Sequence, residues 1–259
     1  MHWDPTHLTV ALAMAVVCGA LGALAPRLVA RIPEPVPDEP EAAPENADEV
    51  DSGEQQLFTR GLPPPPPKEL YVDIAARPHL AVTLALWSAA VGAAIGLALG
   101  WTGALLYLAP LAPVGVVLLV IDWRTTLLPT RIIHPTYVVL AVLIPLAALI
   151  DQDLSSLYRA GWGWLVIGGW FWIFWWLFNA WGFGDVRLSR VLGPALGYLG
   201  WSEMLMGLAL MVFVGGIGGV VFSIAHRDMR RRFPYGPFML VGALLAVLVG
   251  AELARGLGY

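Results

Sequence analysis

The chain contains one cysteine, Cys18, and one lysine, Lys68, and only 13% of its 259 residues are charged. A lone cysteine excludes a disulfide or a cysteine zinc site within the chain. So low a charge content excludes an ordinary water-soluble domain, in which about a quarter of residues are charged. Basic charge falls almost wholly on arginine, the pattern of a GC-rich bacterial genome. The net charge of -4 carries no message about partners. Most acidic residues sit in one segment, and no nucleic-acid partner is expected.

Apolar sequence fills the rest. Hydrophobic residues make up 58% of the chain, 12 of them Trp, and the mean hydropathy is +0.70. The composition predicts an all-α polytopic membrane protein. Apolar runs at about 8–25, 79–100, 103–121, 133–150, 160–181, 203–225 and 234–253 have the length a helix needs to cross hydrocarbon. An eighth, at about 188–200, is short: a thin-membrane span, a half-helix or an interfacial helix. The organisation read from this is a first membrane helix with an Arg-Ile-Pro element (1–32), a polar loop (33–77) and a helical membrane domain (78–259).

With eight crossings and an external N-terminus, thirteen Lys and Arg fall on one side and two, Arg159 and Arg255, on the other. The rule that positive loops stay inside places the first set, including the cluster "HRDMRRR", in the cytoplasm. The N-terminal "MHWDPTH" has no basic residue and carries Asp4, so the first apolar run reads as a retained helix rather than a cleaved signal. The stretch "PEPVPDEPEAAPENADEVDSGE" lacks apolar periodicity and is expected to be disordered. "PPPPP" at Pro63 to Pro67 is expected to be an extended spacer.

Two carboxylates stand out. Asp122 ends the apolar run "LAPVGVVLLVID", and Asp185 lies in "GFGDVRLSR", just past the aromatic run "GWFWIFWWLFNAWG". A carboxylate at that depth is costly unless paired, hydrated or functional. Both fall on the same membrane face at similar depth, so packing can bring them together although 63 positions (185 − 122) separate them. Two carboxylates around one water hold one proton between them. One can take a proton from water while the other donates one to a peptide carbonyl, with no metal or thiol. Gly182 and Gly184, flanking Phe183, either open the backbone to an extended peptide, supply unusual angles or allow close helix packing. Of the tryptophans at 170, 172, 175, 176 and 181, interfacial anchoring and packing is the expected role.

These residues carry a resemblance. "GFGD" resembles the GxGD signature of membrane-embedded aspartic proteases, and "IDWRTTLLPTRI" resembles the first-aspartate motif of the type IV prepilin peptidases. "ARIPEP", "GDVRL" and "FPYGPFML" resemble further elements of that family in the same order. The resemblance implies a bacterial inner-membrane endopeptidase that cuts the short basic leader from prepilins or pseudopilins at the cytoplasmic face. Asp122 and Asp185 match the family's catalytic pair, with Gly182, Gly184, Pro129 and Arg187 as supporting residues.

Three departures accompany it. Many members carry two CxxC pairs in the first loop, a zinc site associated with N-methylation of the product by S-adenosylmethionine. The corresponding loop here has no cysteine, so no zinc is expected, and S-adenosylmethionine enters only if methylation is retained. Thr130 stands where the family usually has Asp or Asn, and Arg187 where it frequently has Lys. The triplet "PAL" at Pro194 to Leu196 matches the presenilin group only out of place. Rival readings are a transporter or assembly-platform subunit using the carboxylates as an ion relay, and an inactive homologue retained as a scaffold. The lipid bilayer is a partner on every reading, and oligomeric state is open.

Overall fold

The computed structural model describes residues 5–33, 69–178, 181–226 and 233–256. Among the described residues there are nine helices and no strand: α1 (Pro5–Val29), α2 (Tyr71–Ala75), α3 (Leu80–Leu99), α4 (Leu105–Thr125), α5 (Thr130–Ile150), α6 (Ser155–Phe178), α7 (Phe183–Leu199), α8 (Trp201–His226) and α9 (Gly236–Gly256). Six of them, α1, α3, α4, α5, α6 and α8, are long and apolar enough to cross a membrane, and α9 has a shorter apolar stretch, Gly236–Gly250. Large aliphatic side chains such as Leu12, Val16 and Ile224 lie on the outer surface, where hydrocarbon rather than water accommodates them. The protein is a multi-pass helical membrane protein.

Apolar surface alone cannot hold such helices together, because lipid is as apolar as leucine. Close contact through small residues does. A Cβ placed on Gly96 of α3 would lie 2.8 Å from the Cα of Ala11 on α1, and one on Gly22 of α1 would lie 2.6 Å from Ser88 Oγ on α3. In α6 and α7 the approach is closer: a Cβ on Gly163 would fall 2.1 Å from the Gly193 carbonyl oxygen, and one on Gly197 would fall 2.4 Å from that of Arg159. A third pair, α8 with α9, meets where a Cβ on Gly242 would lie 2.7 Å from Met211 Cα. Helix α4 packs on α1, α3, α5 and α9, and α7 on α5, α6, α8 and α9, so both aspartate-bearing helices are central.

The short apolar segment expected at 188–200 starts earlier, at Phe183, and takes Asp185 and Arg187 into its first turns. Eleven of its 17 residues are buried, including Asp185, Leu188, Ser189 and Tyr198. It is therefore a helix inside the bundle, not one lying at the interface. Neighbouring helices rather than lipid cover it, which is why it needs neither the length nor the apolarity of its neighbours. Its far end is fastened by Tyr107, whose hydroxyl donates to the Ala195 carbonyl (2.8 Å), and by Tyr198, which donates to Asp151 Oδ2 (2.7 Å). Asp151 also accepts from the Gly103 amide at 2.6 Å, so it ties the α3–α4 turn to α7. Arg159 donates to Asp153 and to the Tyr198 carbonyl at the same end. The serine hydroxyl of Ser155 and then this guanidinium hold the Asp153 carboxyl below its ordinary range.

Residues 69–77, expected from sequence to belong to the polar loop, are ordered. Tyr71 and Ile74 of α2 are buried with Val29, Ile32, Leu80 and Ile121, so this turn of helix seals the end of α4 that carries Asp122. Glu69 pairs there with Arg77 and Arg124. The acidic stretch, the pentaproline run and the HRDMRRR cluster after His226 lie outside the described residues.

Candidate active site

Among the described residues the buried charged side chains are Asp122 and Asp185, exposed by 4% and 7%. Each occupies a helix end. Asp122 is in the last turn of α4, which closes at Thr126, a left-handed residue (φ 53°) whose amide donates to the Asp122 carbonyl at 2.8 Å. The Thr125 hydroxyl donates to the Ile121 carbonyl (2.9 Å) and accepts from the Leu127 amide (3.3 Å), turning the chain away from the helix. Pro129 then takes the extended backbone (φ -67°, ψ 120°) from which α5 starts.

Asp185 sits three residues past the N-cap Gly182. Its carboxylate Oδ2 accepts from the Gly182 amide at 3.1 Å, the back-reaching half of a capping box. Negative charge at a helix N-terminus also meets the positive end of the helix dipole. Asp122 is held in parallel fashion from the start of α9, where the Gly236 amide donates to its Oδ2 at 3.0 Å. Each carboxylate is thus fixed through one oxygen by one glycine amide. Asp122 lies within direct Coulombic range of Asp185. The two motifs meet at Leu128, whose side chain packs on Gly184 (3.0 Å from a Cβ placed there) and on Gly236 (3.4 Å).

The supporting residues divide. Gly184 is not open to a peptide, because Leu128 fills the space beside it, and neither Gly182 nor Gly184 has a positive φ. Gly182 is exposed and open. Arg187 braces α7: its guanidinium donates to Thr130 Oγ1 at the start of α5 and lies 4.7 Å from the Phe183 ring centroid, while Tyr137 donates to its carbonyl at 2.7 Å. Thr130 and Arg187, the two positions that depart from the resembled motifs, are therefore partners. A hydroxyl accepting from a guanidinium keeps a contact there. The tryptophans divide as well. Trp170, Trp172 and Trp176 are exposed on the outer surface. Trp181 donates from Nε1 to the Phe171 carbonyl (2.9 Å) and packs against Tyr235.

Leu128, Tyr235 and Gly236 carry no assignment in the sequence reading, although they lie within "LLPT" and "FPYGPFML". Gly236 has the sharpest requirement of the three. A Cβ there would stand 2.7 Å from Asp122 Oδ2 and 3.3 Å from its Cγ. Gly236→Ala must push the carboxylate aside or break its amide contact. We expect it to lower catalytic turnover by about 10²-fold, with a melting temperature close to wild type; unchanged turnover would mean that Asp122 needs no fixed position. Among the described residues no three His, Cys, Asp or Glu side chains are grouped as metal ligands would be.

Residues 109–224 match the type IV leader peptidase family. A prepilin leader peptidase/N-methyltransferase of Aeromonas hydrophila is 30% identical over 189 residues, covering 70% of this chain and 61% of that protein. One of Aeromonas salmonicida is 30% identical over 96 residues, 36% of this chain and 32% of its own. One of Pseudomonas putida is 29% identical over 89 residues, 32% of this chain and 30% of its own. The chain thus spans between 30% and 61% of the length of these relatives. No solved structure matches it.

Proposed function

We propose that the chain, whose residues 109–224 match the type IV leader peptidase family, is an aspartic endopeptidase removing the basic leader from prepilin- or pseudopilin-like proteins. The observation that carries this reading is that, among the described residues, the two buried charged side chains come from sequence-distant motifs that meet at Leu128. Each keeps one carboxylate oxygen on a glycine amide, and the reading gives the other oxygen to water or substrate. In the proposed step, one carboxylate takes a proton from the attacking water as its oxygen bonds to the scissile carbonyl carbon. The other, protonated, donates to the carbonyl oxygen. The resulting diol intermediate collapses as the C–N bond breaks and the amine leaves with a proton.

Their position at helix ends favours this over ion relay. A relay needs acidic groups through the middle of the bilayer, whereas Asp122 is three residues from the end of α4 and Asp185 is the third residue of α7. The arginine distribution supports a cytoplasmic orientation of this end.

The test is a mass spectrum of the product N-terminus after purified enzyme in detergent meets a prepilin-like substrate. The expected result is a single cut between the leader and the apolar segment, insensitive to zinc chelators. Intact substrate across several such proteins would overturn the reading, and inhibition by chelation would overturn the metal-free mechanism. A methyl group added to the new N-terminus when S-adenosylmethionine is present would show that methyl transfer, named for the relatives, belongs to this chain too.

A further inference from the structure

A cavity of about 540 Å³ opens beside the carboxylate pair, between α8 and the two short segments that precede α7 and α9. Gly215, Gly216 and Gly219 of α8 form one wall, and Trp181, Phe233 and Tyr235 form the other. The second wall adjoins the site along the chain. Trp181 precedes Gly182, whose amide holds Asp185, and Tyr235 precedes Gly236, whose amide holds Asp122. Tyr235 is itself within electrostatic reach of Asp185. Trp181 is kept in place by its bond to Phe171 and by its ring lying 5.3 Å from that of Tyr235.

The glycines of α8 serve different purposes. A Cβ on Gly215 would meet the Tyr235 ring at 2.4 Å and one on Gly218 the Phe238 ring at 2.2 Å, so both are needed for internal packing. Gly216 is not: nothing lies within 4 Å of where its Cβ would be. Of the six long apolar helices α8 is the least buried. Its neighbours along the cavity, Val220 and Ile224, are exposed by 60% and 72%. The cavity is therefore a slot lined by the glycine face of α8 and by aromatic rings, with exposed apolar side chains along it and with Trp181 and Tyr235 adjacent in the chain to the glycines whose amides hold the carboxylates.

We propose that this slot seats the start of the substrate's apolar membrane helix, the part immediately beyond the scissile bond. The assignment rests on the peptidase reading. A substrate whose chain continues into the bilayer from the cut has to enter sideways between lipid-facing helices, and glycine lets a helix come close at the point of entry. The volume suits side chains along one face of a helix, with the rest left in lipid. The site would thus select for an apolar segment directly following the cleaved bond, independently of the leader.

Gly216→Leu adds bulk to the slot at a position where nothing lies within 4 Å of the Cβ. Gly161→Leu is its control: it too has open space around it, and it lines a separate cavity between α5, α6 and α7. On a helix-bearing prepilin-like substrate we expect Gly216→Leu to raise KM about tenfold or more with kcat nearly unchanged, and Gly161→Leu to match wild type. Equal KM values, or equal losses in both variants, would overturn the slot. If wild-type enzyme cuts nothing, the peptidase reading fails, and the slot is then decided by binding. With a benzophenone side chain at position 216 in an Asp185→Asn background, irradiation should capture the substrate's apolar segment; capture of lipid alone would overturn the proposal.

Discussion

Asp122→Asn and Asp185→Asn should each reduce cleavage by about 10²–10⁴-fold or more, the contribution expected of a positioned acid or base. Asparagine keeps the shape and one acceptor oxygen, so the amide contacts from Gly236 and Gly182 can persist. It cannot exchange the proton. In the proposed mechanism both groups act on one water, so the double variant should be no slower than either single one, a non-additivity that two independently useful charges would not show. Stability should move the other way. Two carboxylates buried side by side are unfavourable in the resting protein, so each neutral variant should melt at the same temperature as wild type or higher. Rates from the mass-spectrometric assay and melting curves in detergent decide it. Substantial activity in either single variant would remove the pair from the chemistry, and a loss of folded protein would make both residues structural.

The second large effect lies away from the carboxylates. A Cβ on Gly193 would stand 2.3 Å from the Gly163 carbonyl oxygen and 2.8 Å from its carbon, both backbone atoms that cannot rotate away. Gly193→Val must therefore part α6 from α7 along their shared glycine face. Overpacking of this kind costs about 1–3 kcal/mol, and more where backbone must shift. Since α7 carries Asp185 in its first turn, activity should fall with stability. Gly169→Ala on α6 provides the contrast. Nothing lies within 4 Å of that position, so the change should be neutral or stabilise by roughly 0.5–1 kcal/mol through helix propensity. A Gly193→Val protein with wild-type melting behaviour would show that α6 and α7 are not held by this contact.

Several elements of this site were legible before any fold was known, and for physical reasons. An aspartate at the end of an apolar run has an energetic cost that can be read one residue at a time, which singles out Asp122 and Asp185. Basic loop charges alternate with apolar spans, which puts both on one face. Other features were not legible. Apolarity could not locate the start of α7, because a capping contact from Asp185 to Gly182 rather than a hydrophobic boundary begins it. The ordering of Tyr71 to Ala75 depends on a pocket made by Val29, Leu80 and Ile121, residues distant in sequence. Of the three roles open to Gly184 in the sequence, only the fold could show that Leu128, from the other motif, packs against it.

The sequence by itself determined that this is a bundle of membrane helices and which two carboxylates are too costly to be incidental. Both follow from transfer free energies that belong to single residues and short runs. Only the tertiary structure decided that the two motifs meet at Leu128, that Gly236 and Gly182 hold the two carboxylates, that α7 lies inside the bundle, and which glycines pack and which, Gly161, Gly169 and Gly216 among them, are left open. Those depend on distances between segments, and in lipid such distances are set by where small residues let backbones touch, a quantity no single helix carries alone.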